Sequence, residues 1–179
     1  MIEWSNDLDL TEFYNTAEYK GFTNNSSQKM LVDSLSNEPE YKVWMLKYND
    51  KFVGSVAAHS FNIMGENCYR ICARTCVFSD MLPIQNMRTR NEIITHQHIT
   101  GQFFIPTCLS WAKGRVFITT NENDAGTQRL VHRIFATSMV ESGQMARVGE
   151  IYYRGTDQTV WELFPDKFYE VLNKYPRWI

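Results

Sequence analysis

The chain has 179 residues, 44% of them hydrophobic and 21% charged, and a formal charge of −2. That balance excludes a disordered acidic tail and a polybasic nucleic-acid binder, and a chain of this length can bury about 70% of its unfolded surface, so one domain over 1–179 is expected. The opening MIEWSNDLDLTEF lacks a basic stretch followed by an apolar run, and no segment approaches the roughly 18 uninterrupted apolar residues of a spanning helix; the expectation is a cytoplasmic globular protein without membrane contact.

In chain order, residues 2–4 read as a short first strand. Asp9 is placed to cap a helix from Leu10 to about Tyr19, closed by Gly21, and Ser26 and Ser27 precede a second helix over roughly 28–36 that ends before Pro39. The β-rich runs YKVWMLKYND and KFVGSVAAHSF are joined by Asn49, Asp50 and Lys51, turn residues of the kind that link hairpin strands. Asn62 to Asn67 supplies another turn, and a strand from about Cys68 to Phe78 completes an antiparallel meander.

That last strand of the meander, ENCYRICARTCVF with its flank and the fourth in the chain, sets Cys68, Cys72 and Cys76 four residues apart with Arg70 and Arg74 between them. Zinc ligands come in close pairs with a second Cys/His pair further on, whereas here Cys108 is isolated and His96 and His98 stand apart, so no metal is expected and the cysteines read as reduced, half-buried residues. With period 2, Tyr69, Ile71, Ala73, Thr75 and Val77 form an apolar face directed at the core. The other face carries both arginines, their Cα atoms about 13 Å apart at 3.3 Å per residue. Guanidiniums are costly to bury unpaired, so they should face a wet cleft or meet carboxylates such as Glu12 or Glu18.

Residues 79–97 are polar and irregular. A helix from about Gly101 to Lys113 follows, in which Pro106 marks either a kink or the true first turn. RVFITTN reads as a strand, NDAGTQRLVHRIFATSM as a helix, ARVGEIYYRG and TDQTVWELF as a second hairpin, and PDKFYEVLNKY as a last helical turn or two. Trp44, Trp111 and Trp161 fit core packing, and nothing suggests nucleic-acid binding. YPRWI leaves Tyr175, Trp178 and Ile179 without an evident burial site, so a monomer or a homodimer is expected.

This order, β-α-α-β-β-β-α-β-α-β-β, resembles that of the GNAT superfamily of acyl-CoA-dependent N-acetyltransferases. VWMLKYNDKFVGSVAAHSF is similar to the family's second and third strands, and SWAKGRVFITTNEND to its passage from the central helix into the fifth strand. The resemblance implies an α/β (α+β) fold: a mixed, mostly antiparallel twisted sheet of about seven strands flanked by helices. It also implies acetyl-CoA as acyl donor and direct transfer, in a ternary complex, to a small amine or amino-acid-like acceptor.

Carried over residue by residue, the resemblance gives the pantetheine arm to backbone groups of Cys76, Val77 and Phe78, and a further cofactor contact to Asn121 at the end of the fifth strand. It gives the pyrophosphate to His98, Ile99, Thr100, Gly101 and Gln102, where clustered N–H groups at a helix start would hold phosphate. His98 stands where the family has Gln or Arg, Phe103 where it has a small residue, and only Gly101 fits. The tyrosine that protonates the leaving thiolate in many members is replaced by Val131; His132 follows it, about 100° further round a helix.

Acetyl transfer to an amine also needs a proton acceptor. Glu150, near Tyr152 and Tyr153, and His59, at the end of the third strand, lie where the acceptor cleft should open. Arg70 and Arg74 are candidate substrate-binding residues that would select an acceptor bearing a carboxylate or phosphate. Alternative readings are a non-catalytic or repurposed GNAT-fold binding protein with an eroded pyrophosphate loop, and a transferase of another acyl or aminoacyl group.

Overall fold

Alternating apolar side chains punctuated by polar turns lay down seven strands: β1 (Ile2–Ser5), β2 (Tyr41–Tyr48), β3 (Lys51–Ser60), β4 (Cys68–Cys76), β5 (Arg115–Thr120), β6 (Met145–Tyr153) and β7 (Thr156–Leu163). Among the described residues two α-helices accompany them, α1 (Ile105–Trp111) and α2 (Pro165–Lys174), with 3₁₀ turns at Ser34–Asn37 and Asn62–Met64. The computed structural model describes residues 2–5, 34–48, 51–76, 104–121, 123 and 139–174. The expected helix over 10–19, positions 124–138 of the expected helix over 123–139, the segment 77–103 and the residues 175–179 lie outside them.

The strands follow one another in the order β1-β2-β3-β4-β5-β7-β6. β1–β2, β2–β3, β5–β7 and β6–β7 are antiparallel, whereas β4 and β5 run parallel. This is the mixed, mostly antiparallel α/β architecture expected from the sequence. The chain forms two compact units, Met1–Ser60 with Cys72–Ile105 and Trp178–Ile179 in one, and Phe61–Ile71 with Pro106–Arg177 in the other; β4 is divided between them.

In the first unit, Tyr48 pairs with Lys51, so a two-residue connection closes the β2–β3 hairpin. Leu35, Ala57 and Cys72 form a buried cluster with Val43 packed against it. The amide of Glu38 donates to the carbonyl of Leu35 at 2.9 Å, closing the 3₁₀ turn; the described end of the expected second helix has this tighter form.

In the second unit, the amide of Phe61 donates to the Cys68 carbonyl at 2.7 Å, across the turn that leads into β4. Phe61, Cys68, Phe117 and Val160 pack with Met64, Ile151 and Tyr153 on one face of the sheet. On the other face Tyr69 meets Trp111 edge-on, ring centroids 5.3 Å apart. Cys68 through Ile71 are all buried, so both faces of β4 are covered there, and the reading of a single core face is corrected. The reason is topological: a strand with sheet neighbours and packed layers on both sides buries its full period, as parallel-paired strands do.

Pro106 falls in the first turn of α1, where a missing N–H costs nothing. α2 runs to ten residues rather than a turn or two, anchored by the fully buried Phe168. Arg115 makes two hydrogen bonds to the Glu162 carboxylate, 2.7 and 2.8 Å, tying β5 to β7, and these bonds raise the pKa of its guanidinium further. β6 and β7 turn at Arg154 (φ 52°) and Gly155 (φ 82°), the pair of positive φ values that a type I′ hairpin needs.

Candidate active site

Among the described residues of the second unit, Arg70 is the buried charge. Only 6% exposed, it donates from Nε to the Thr119 hydroxyl at 2.8 Å, and its Cζ lies 4.9 Å from the centroid of the Tyr153 ring. The registers explain why these three meet. Arg70 pairs with Phe117, Phe117 with Glu162, and Thr119 with Val160, so Arg70, Thr119 and Val160 share one face.

Tyr153 reaches that face because of an irregularity in β6. The register with β7 slips between Arg147 and Gly149, leaving Val148 as an extra residue. One extra residue reverses the alternation, so Tyr153, opposite Thr156, stands on the face of Val160 and Arg70. Its ring is edge-on to Phe61 at 5.3 Å, and its hydroxyl accepts a hydrogen bond from Arg154 Nε at 3.1 Å.

The same slip carries Glu150 to the other face, opposite Thr159, so Glu150 and Arg70 are not brought together. Glu150 is exposed and paired with Arg147. His59, by contrast, is fully buried at the end of β3. Its Nδ1 lies 2.6 Å from the Ser60 carbonyl oxygen; since a carbonyl only accepts, the proton is on Nδ1. The Glu38 carboxylate is 3.7 Å from the same nitrogen.

Of the expected cofactor contacts, Cys76 ends β4. Asn121 follows β5 directly, and its side-chain carbonyl accepts the Asn123 amide at 3.0 Å, an Asx turn that shapes the chain after the strand. Val77, Phe78, His98, Ile99, Thr100, Gly101, Gln102 and His132 lie outside the described residues, as does the side chain of Arg74. The β4–β5 register runs from Cys68↔Arg115 to Ile71↔Ile118, and β5 continues through Thr119 and Thr120, paired on its other side to Val160 and Thr159. Thr120 accepts a hydrogen bond from Trp161 Nε1 at 2.9 Å.

Cys68, Cys72 and Cys108 are buried free thiols, and Cys68 Sγ lies 3.6 Å from the carbonyls of Met64 and Glu66. Among the described residues, no group of three or more His, Cys, Asp or Glu side chains is placed to hold a metal. Nor is any described helix long and apolar enough to cross a membrane.

Thr119 and Tyr153 are functional candidates that sequence reasoning missed. Thr119 read as one position of the strand RVFITTN, and Tyr153 as a neighbour of Glu150. Only the parallel β4–β5 register and the β6 bulge make them partners of Arg70.

No protein-family model matches the chain, and no curated protein matches it. Solved structures do. The chain is similar to an acyl-CoA N-acyltransferase from Pseudomonas aeruginosa, at 16% identity over 92% of this chain and 100% of that one, TM-score 0.50. It is also similar to a protein assigned to the GNAT family from Desulfovibrio desulfuricans, at 14% identity over 91% and 98%, TM-score 0.52. A third is the aminoglycoside acetyltransferase AAC(6')-Ib in complex with coenzyme A and kanamycin, at 9% identity over 95% and 98%, TM-score 0.56. The chain has the GNAT fold.

Proposed function

We propose that this protein is an acyl-CoA-dependent N-acetyltransferase, a single GNAT-like domain that transfers acetyl directly from acetyl-CoA to a small amine or amino-acid-like acceptor. The observation that carries the reading is the fold itself, shared with structures named as acyl-CoA N-acyltransferase and as an acetyltransferase complexed with coenzyme A. Fold alone hosts many functions, so the argument has to pass through particular positions.

The parallel β4–β5 pair supports it. Within the second unit the two strands run parallel from Cys68↔Arg115 to Ile71↔Ile118. In this reading Cys76, Val77 and Phe78 meet the pantetheine arm, Asn121 donates through its amide nitrogen, and the segment from His98 to Gln102 takes the pyrophosphate. Arg70 and Arg74 select an anionic acceptor.

The amine must lose a proton as it attacks the thioester carbonyl, and the departing thiolate must gain one. Val131 can supply neither. His59, Glu150 and His132 are the candidate proton-transfer groups; the Nδ1 proton of His59 is held by the Ser60 carbonyl.

The deciding experiment is a calorimetric titration with acetyl-CoA and with CoA. Binding at micromolar strength, about −8 kcal/mol, that is weakened by Gly101→Glu supports the reading. Absence of binding up to millimolar ligand refutes it and favours the second reading, a binding protein on the same scaffold, to which the departures at His98 and Phe103 already point.

A further inference from the structure

We propose that two copies of this chain pair edge to edge through β6, antiparallel about a two-fold axis that passes between Val148 and Gly149 and sets Arg147 of each copy against Glu150 of the other. The inference is independent of the acetyltransferase reading.

β6 stands last in the sheet, and among the described residues it pairs with β7 alone. Its other edge carries the backbone donors and acceptors through which one strand adds to another. Every residue from Arg147 to Glu150 is exposed, and Val148 and Tyr152 leave apolar surface beside that edge, 45% and 73% exposed.

The bulge decides which partner fits. In a regular strand Arg147 and Glu150, three positions apart, would lie on opposite faces. Here Arg147 stands opposite Trp161 and Glu150 opposite Thr159, so the two share a face and meet as an ion pair. That face of β6 carries Met145, Arg147, Glu150 and Tyr152, while Ala146, Gly149 and Ile151 take the other. The order is symmetric about the midpoint of Val148 and Gly149. An antiparallel copy centred there sets Met145 opposite Tyr152, Ala146 opposite Ile151, and Arg147 opposite Glu150, each pair on matching faces. Without the extra residue, the same register would put the members of each pair on opposite faces.

Charge favours a second copy over an unrelated strand. Arg147 and Glu150 of the two copies alternate in sign on one face, paired within each chain and again across the axis. A slip of three residues either way would set Arg147 against Arg147, or Glu150 against Glu150. Edge charges that deter pairing with most strands thus suit this one.

The test is sedimentation velocity over about 1–100 μM protein. The wild-type chain should form a dimer of twice its 21.0 kDa. Arg147→Glu and Glu150→Arg each place like charges across the axis and should weaken dimerisation about tenfold. Mixed in equal amounts, the two variants should recombine, because the acidic pair of one then faces the basic pair of the other. The like charges within each chain persist in the mixture, so recovery reads the contact across the axis alone. Val148→Lys, which brings two cations to the axis, should also give monomers and carries the test should a charge variant not fold.

A wild-type chain that stays monomeric throughout would overturn the proposal. So would a dimer that survives Val148→Lys, or folded charge variants that dimerise as the wild type does or fail to recombine on mixing.

Discussion

Replacing Gly114 by alanine should destabilise the protein sharply, and the reason is a backbone contact. A Cβ built at Gly114 would lie 1.9 Å from the carbonyl oxygen of Asn67, 2.9 Å from its carbonyl carbon and 3.0 Å from its Cβ. The nearest atom is main chain and cannot swing aside as a long side chain could. That carbonyl also accepts the Arg115 amide at 3.1 Å, and Asn67 itself holds a positive φ of 53°. Relief by about 1 Å of movement would strain the 65–67 turn and stretch this hydrogen bond at the start of β5. Overpacking costs about 1–3 kcal/mol and a weakened hydrogen bond about 1 more. A total near 3 kcal/mol corresponds to a drop in Tm of roughly 6–12 °C for a chain of this size. Thermal melts followed by far-UV circular dichroism, with urea unfolding alongside, measure it. Gly149→Ala is the control: its Cβ would meet nothing within 4 Å, and about ±0.5 kcal/mol is expected. A Gly114→Ala protein that melts with the Gly149→Ala protein would show that the close approach to Asn67 has been misjudged.

Asn121→Asp keeps the oxygen that caps Asn123 but loses the amide donor, so Tm should hold within about 2 °C while acetyl-CoA affinity falls at least tenfold in calorimetry; unchanged affinity would assign Asn121 to the turn alone. Trp161→Phe strands the Thr120 hydroxyl in a buried setting and should cost about 1–2 kcal/mol in urea unfolding. Glu150 and Arg147 are both exposed, so Glu150→Gln should change stability by less than about 0.5 kcal/mol, and any loss in transfer rate then reports on proton transfer rather than folding.

The strands were legible because their alternation and their turn residues agree: the hairpins at 48–51 and 153–156, and the turn that opens at Asn62, are each encoded within a few neighbouring residues. The burial of Arg70 was not. Its Thr119 partner is 49 positions away and depends on a parallel register, which no local pattern encodes. Tyr153 shows a second limit. Counting by twos from the buried Met145 puts Tyr153 beside Met145 and Glu150 on the opposite face, and the extra residue at Val148 reverses both assignments. The fold class survived such a slip because it rests on element order, whereas the site did not because it rests on which way a side chain points.

The division of β4 between two units has a consequence for biosynthesis. Residues 61–71 leave the ribosome early, yet the strand their second unit pairs them with, β5, ends at Thr120, and β7, which pairs with β5, ends at Leu163. At about 5–20 residues per second, the apolar Tyr69 and Ile71 wait several seconds for Val116 and Ile118 to be made, and longer for β7 to cover the far edge of β5. Neither unit is a continuous piece of chain, so neither can be released finished while the other is being made. Nascent chains halted between residues 76 and 115 therefore present an unpaired, hydrophobic strand edge, the kind of surface that chaperones hold.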